Sequence, residues 1–334
     1  MSMSRRIVVA SLIGLFAGTL ALSNAQERRK TEATPEIKPA ARGLVPLNEM
    51  SATDRYKDQD GGLYGGGQNR PPEPLRKAAE AELARIQPLD GDGKPSADGR
   101  IVLISLSMSN ATQEFSMFVQ MANGDPRKSA KLTIVDCAQG GQTMARWADP
   151  NAAPWSVALQ RLQTAKVTPQ QVQVAWVKPA NAGPRGELKE HGVILYRDTL
   201  TTLQNMKKTF PNLRIVYLSS RIFAGYASSQ LNPEPYAYEG AFVCRWLIQD
   251  QMDGEPRLNY DAAKGPVHAP LLLWGPYLWA NGETPRKEGT LTWSPDDFGS
   301  DMTHPSSSGR RKVAGALLEY FATDPLAKPW FVGR

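Results

Sequence analysis

The sequence predicts an α/β protein in which a parallel sheet is covered on both faces by helices. Three observations lead there. Five short apolar runs, rich in Val, Ile and Leu, recur from residue 101 onward. Each is too continuous to be a half-exposed strand and too short for a buried helix, as expected of strands buried on both faces. Longer helical stretches lie between them, and strand–helix alternation favours a parallel sheet.

The chain has 334 residues, 41% of them hydrophobic and 22% charged, which is ample for a core. Its first 25 residues have the pattern of an export signal. Arg5 and Arg6 are followed by the apolar run 7–22, and Ser23-Asn24-Ala25 supplies the small residues of a cleavage site. Cleavage is expected after Ala25, giving a secreted or periplasmic protein. The run is short for a membrane span, so no stable span is expected once it is removed. Ser4-Arg5-Arg6 leaves the choice between the general and twin-arginine routes open.

Residues 26–75 are rich in Lys, Glu, Pro, Gly and Asp, without apolar periodicity, and are expected to be a flexible linker and loop. The glycine-dense stretch Gly61-Gly62-Leu63-Tyr64-Gly65-Gly66-Gly67 lacks the Gly-Lys-Ser/Thr ending of a phosphate loop. It is expected to lie over the domain surface. The domain itself is expected to occupy 76–334. Its strands are placed at 101–104, 132–135, 172–177, 213–218 and 271–274, and its helices at 112–121, 155–165, 187–210, 236–252 and 309–322.

The net charge of +6 is scattered, with no basic stripe interleaved with aromatics, which argues against a nucleic-acid partner. Cys137 and Cys244 sit in apolar runs, favouring buried thiols over a disulfide. Two Cys and three His, widely spaced, form no metal-ligand cluster. No cofactor is indicated.

In open parallel sheets, ligand sites gather beyond the carboxyl ends of the strands. There the sequence places Ser107-Met108-Ser109-Asn110 after the first strand. A serine at such a turn can project its hydroxyl above the sheet, although Ser and Asn also serve as helix caps. Gly140-Gly141 follows the second strand and offers backbone N–H donors, and Asn181 follows the third. Asp301-Met302-Thr303-His304-Pro305 precedes the last helix. A carboxylate three residues before a histidine can reach Nδ1 and leave Nε2 free as a base.

Ser109-Asn110, Gly141, Asn181 and Asp301-x-x-His304 together resemble the four blocks of the SGNH (GDSL-like) hydrolase superfamily, over roughly residues 100–324. The resemblance implies a flavodoxin-like three-layer α/β/α sandwich with strand order 2-1-3-4-5. It also implies ester hydrolysis without a metal, with Ser109, Asp301 and His304 as triad. The oxyanion donors would be the backbone N–H groups of Ser109 and Gly141 and the Asn181 side chain. The first block lacks Gly-Asp-Ser and is closer to the Gly-Gln-Ser-Asn of carbohydrate acetylesterases. In the third block Ala182 stands where many members have Asp.

For substrate, Arg221 could bind an anionic group or form a structural ion pair with Glu239 or Asp136. Trp279, in the aromatic stretch 274–279, could stack on a sugar ring or pack the domain edge. Removal of O-acetyl groups from a carbohydrate or small molecule is the leading expectation. A lipid or other carboxylester hydrolase and a catalytically silent carbohydrate-binding domain are the alternatives.

Overall fold

A computed structural model describes residues 35–287 and 289–333. The expected leader and its cleavage point lie outside the described residues. One compact unit begins at Ile37 and carries the fold.

The sheet has five parallel strands in the order β2-β1-β3-β4-β5. They are β1 (Ile101–Leu106), β2 (Leu132–Asp136), β3 (Val172–Val177), β4 (Ile215–Leu218) and β5 (Leu271–Trp274). Every residue of β1, β3 and β4 is buried, which is why these strands are unbroken apolar runs rather than alternating ones. The helices are α1 (Glu73–Ala84), α2 (Ser109–Gly124), α3 (Met144–Trp147), α4 (Ala153–Thr164), α5 (Leu188–Thr209), α6 (Tyr236–Met252), α7 (Ser307–Thr323) and α8 (Lys328–Phe331). Right-handed crossovers assign them to layers. The chain leaves β1 toward β2 through α2 and then reverses, so the helices after β2, β3 and β4 cover the opposite face. Accordingly α2 packs on α7, with Phe118 and Phe321 rings 5.6 Å apart, while α5 packs on α3 and α6. The three-layer sandwich expected from the sequence is the fold observed.

Register aligns the strand ends. Ser105 pairs with Asp136, Leu106 with Val177, Val177 with Leu218, and Leu218 with Trp274. Ser107, Cys137, Lys178 and Ser219 therefore emerge side by side along one edge. Cys137 and Cys244 are both buried free thiols.

The expected boundary at residue 75 is not where packing begins. From Ile37 the chain is built into the molecule, with Ala41, Leu47, Met50, Leu63 and Tyr64 in the core. Its backbone is gripped by side chains of the sheet and helices. Trp274 Nε1 donates to Leu63 O (2.6 Å), Tyr238 Oη to Val45 O (2.8 Å), and Arg245 Nη1 to Asp60 O (2.8 Å) and Gly62 O (3.1 Å). Tyr277 Oη accepts from Leu47 N (3.0 Å). Close approach explains part of the glycine run: a Cβ on Gly61 would lie 2.0 Å from Met50 O. The glycine-rich stretch, expected to lie over the domain surface, is instead half embedded, with Gly61 to Tyr64 buried, and the fixed path of this strap differs from that of a flexible linker. Contacts made through backbone carbonyls leave no apolar periodicity to read.

Candidate active site

Ser109 occupies the first turn of α2, one residue past the N-cap Met108. Its hydroxyl does not cap the helix; Ser109 Oγ lies 2.8 Å from His304 Nε2. His304 Nδ1 lies 2.5 Å from Asp301 Oδ2. With Nδ1–H donated to the carboxylate, Nε2 carries the lone pair and accepts a hydrogen bond from the serine hydroxyl. Asp301 Oδ1 also accepts from the backbone N–H of Thr303 (3.1 Å) and His304 (3.0 Å). Burial pushes the Asp301 carboxyl up, but the His304 ring and these two N–H groups outweigh it and hold it below the usual range. The aspartate therefore stays ionised and fixes both the ring and the loop that carries it.

That loop is braced from two sides. Asn110 Nδ2 donates to Thr303 O (3.1 Å), tying the neighbour of Ser109 to the neighbour of His304. From the other side Ser228 Oγ donates to Asp301 O (2.8 Å), and Ser229 and Thr303 hydroxyls lie 3.0 Å apart. Past Pro305, Ser306 caps α7 by accepting from Ser308 N and Gly309 N.

The second block folds against the first, with Gln139 N donating to Ser107 O (3.1 Å). Gly141 sits at φ 74°, a backbone conformation that favours glycine, with open space where a Cβ would stand.

Other expected site residues lie elsewhere in the network. Asn181 Nδ2 donates to Asp198 Oδ2 (2.8 Å) on α5, and its Oδ1 accepts from Ala145 N (3.0 Å) on α3. This amide staples two helices and lines an open cavity of about 630 Å³ with Arg185, Arg197 and Asp198. Its hydrogen bonds are structural rather than directed at the serine. Trp279 is fully buried, with Nε1 donating to Glu234 Oε1 (2.7 Å) and its ring against Tyr238 and Phe223, so it offers no face to a sugar. Arg221 is buried, and neither ion-pair partner expected for it is engaged with it. Glu239 instead binds His191, Lys57 and Tyr56, and Asp136 accepts from Ser105, Thr112 and Ser116.

Sequence reasoning passed over Asn110 as a brace and Glu114 and Lys178 as a buried pair. Lys178 carried one available signal, a cation at the first position beyond a wholly buried strand.

No protein-family model matches the chain. No curated protein matches it in sequence either. Among solved structures it is similar to a candidate SGNH hydrolase from Slackia heliotrinireducens, at 14% identity and TM-score 0.35, over 66% of this chain and 97% of that one. It is also similar to a candidate acylhydrolase from Bacteroides fragilis, at 13% identity and TM-score 0.37, over 75% of this chain and 97% of that one. A third is the periplasmic domain of a lipopolysaccharide acetyltransferase from Salmonella ser. Paratyphi A, at 12% identity and TM-score 0.34, over 73% and 95%. Likeness this loose assigns neither reaction nor residues to this chain.

Proposed function

We propose that this chain is an exported serine hydrolase of the SGNH type that cleaves acyl esters. The observation that carries the reading is the continuous hydrogen-bond chain Ser109 Oγ···His304 Nε2 (2.8 Å) and His304 Nδ1···Asp301 Oδ2 (2.5 Å). In this reading Ser109 Oγ attacks the ester carbonyl while His304 Nε2 takes its proton. The new Oγ–C bond leaves an oxyanion, and Asp301 stabilises the imidazolium. Collapse expels the alcohol, which receives the proton from His304, and water then cleaves the acyl-enzyme with His304 again as base.

The oxyanion donors proposed are two backbone N–H groups. That of Ser109 lies in the first turn of α2, where no intrahelical acceptor is available and the helix dipole favours negative charge. That of Gly141 lies in the turn beside it. Each such donor is worth about 3 kcal/mol in the transition state. The acyl group is proposed to be small, acetyl above all. The Ser-Met-Ser-Asn block and the leader-like N-terminus favour a carbohydrate ester; the buried Trp279 lends that reading nothing.

Ser109→Ala is expected to cost about 10⁴-fold or more in hydrolysis of a short-chain aryl acetate, with the melting temperature unchanged. A fluorophosphonate should label the wild type at Ser109 and not the variant. Activity retained in folded Ser109→Ala would remove the serine as nucleophile, and a silent domain would not label. Acetylated glycans set against longer acyl esters then select the substrate.

A further inference from the structure

Beneath the triad lies a group of charges with no part in the acyl-transfer steps. Glu114 of α2 and Lys178, the first residue past β3, form an ion pair in which both side chains are essentially inaccessible. Arg221, three residues past β4, is buried within electrostatic reach of both. Buried ion pairs are weak stabilisers, since an apolar pair of similar volume often does as well or better. This one is also incompletely satisfied: Glu114 Oε1 and Arg221 Nε are buried without hydrogen-bond partners.

Its position is informative. Glu114 lies four residues after Asn110, on the same face of α2 and one turn, about 6 Å, further along. Asn110 in turn holds the carbonyl of Thr303, the residue before His304. At the other end of the pair, the Lys178 carbonyl accepts from Ser107 Oγ, two residues before Ser109. The pair therefore links the turn that carries Ser109 to the strand beside it and lies one helical turn from the residue that holds the loop carrying His304.

We propose that Glu114 and Lys178, with Arg221, are positioning residues whose charges set the electrostatic potential at the His304 imidazole. The proposal rests on the triad reading. Further charges face the same region. Arg310 of α7 and Glu234 before α6 lie within electrostatic reach of the cluster, and Glu234 is held by Trp279 Nε1 and two backbone N–H groups. Asp301 binds the imidazole itself. Asp297 is paired with Lys312, and Asp136 is held by three hydroxyls.

The test is the pH dependence of fluorophosphonate labelling at Ser109, whose acid limb reports His304. Glu114→Gln removes a negative charge and should move that limb down by about 0.5–1 pH unit. Lys178→Met and Arg221→Met each remove a positive charge and should move it up by a similar amount. The double variant Glu114→Gln/Lys178→Met should return it to within about 0.2 unit of wild type. A purely structural pair would slow labelling without shifts of opposite sign. Superimposed limbs in the folded variants, or shifts of one sign only, would overturn the proposal. Should either single variant of the pair fail to fold, the upward shift in Arg221→Met and the unmoved double variant carry the test, and an unmoved Arg221→Met overturns it. Failure of the wild type to label at all would instead defeat the triad reading.

Discussion

Whether a side chain beside the serine is machinery or scaffolding depends on what its polar atoms already hold. His304 and Asp301 spend their ring and carboxylate on each other and on Ser109. Asn181 holds Asp198 and Ala145. Asn181→Ala is therefore expected to lower kcat less than tenfold and to lower the melting temperature by a few degrees, as loss of a helix staple would. A fall of about 100-fold in kcat with stability unchanged would restore the amide as an oxyanion donor. The contact between Ser109, His304 and Asp301 was legible because its informative part is local: Asp301 and His304 are three residues apart in one loop, and Ser109 lies shortly after a strand. The direction of Asn181 was not, because it is decided by a carboxylate 17 residues away on α5. The Glu114–Lys178 pair spans 64 residues and belongs to no motif.

Helix packing turns on a second buried carboxylate. Glu239 of α6 binds His191 Nε2 of α5 (2.5 Å), Tyr56 Oη (2.6 Å) and Lys57 Nζ (2.8 Å), joining two helices to the strap. Burial pushes the carboxyl up, but these partners together hold it below the ordinary range. A depressed carboxyl stabilises above its unfolded value, about 4.3, and that contribution fades as pH falls through the folded value. Glu239→Gln should therefore lower the melting temperature by about 5 °C at pH 7, with the gap to wild type closing below about pH 4. Thermal melts across that range check both the size and the sign. At this scale the sequence was informative. All five apolar runs became strands, because residues buried on both faces leave an uninterrupted pattern. The helix after β1 was placed too late. It begins at Ser109 rather than 112, since no Ser, Thr, Asp or Asn marks its N-cap, Met108.

The molecule as a whole closes only when the strap is in place. A chain beginning at residue 76 would lose Leu47, Met50, Leu63 and Tyr64 from the core. It would also leave the indole N–H of Trp274 and the guanidinium of Arg245 without their carbonyl acceptors. Each buried polar group so stranded costs about 1–3 kcal/mol, against a total stability of about 5–15 kcal/mol. The chain from 76 is expected to be insoluble or to melt far below one beginning at 37, which should match the chain from 26. Equal melting of the 76 and 37 chains would show the strap to be dispensable. Hydropathy gave no hint of this, because the strap contributes scattered single side chains and otherwise binds through its backbone.

The strap also has a bearing on the order of events during synthesis. It is made early, yet its anchors come late: Leu47 meets Tyr277 across 230 positions, and Leu44 meets Asn281 across 237. Lys38 N reaches Gly225 O, in the loop that goes on to brace Asp301 through Ser228. Until nearly the whole polypeptide exists, these residues have nothing to hold, and contacts so distant in sequence form slowly. Ser109 likewise waits for His304, 195 positions on. A nascent or prematurely terminated chain thus carries Ser109 without His304, and on the proposed reading hydrolytic competence arrives only with the finished molecule.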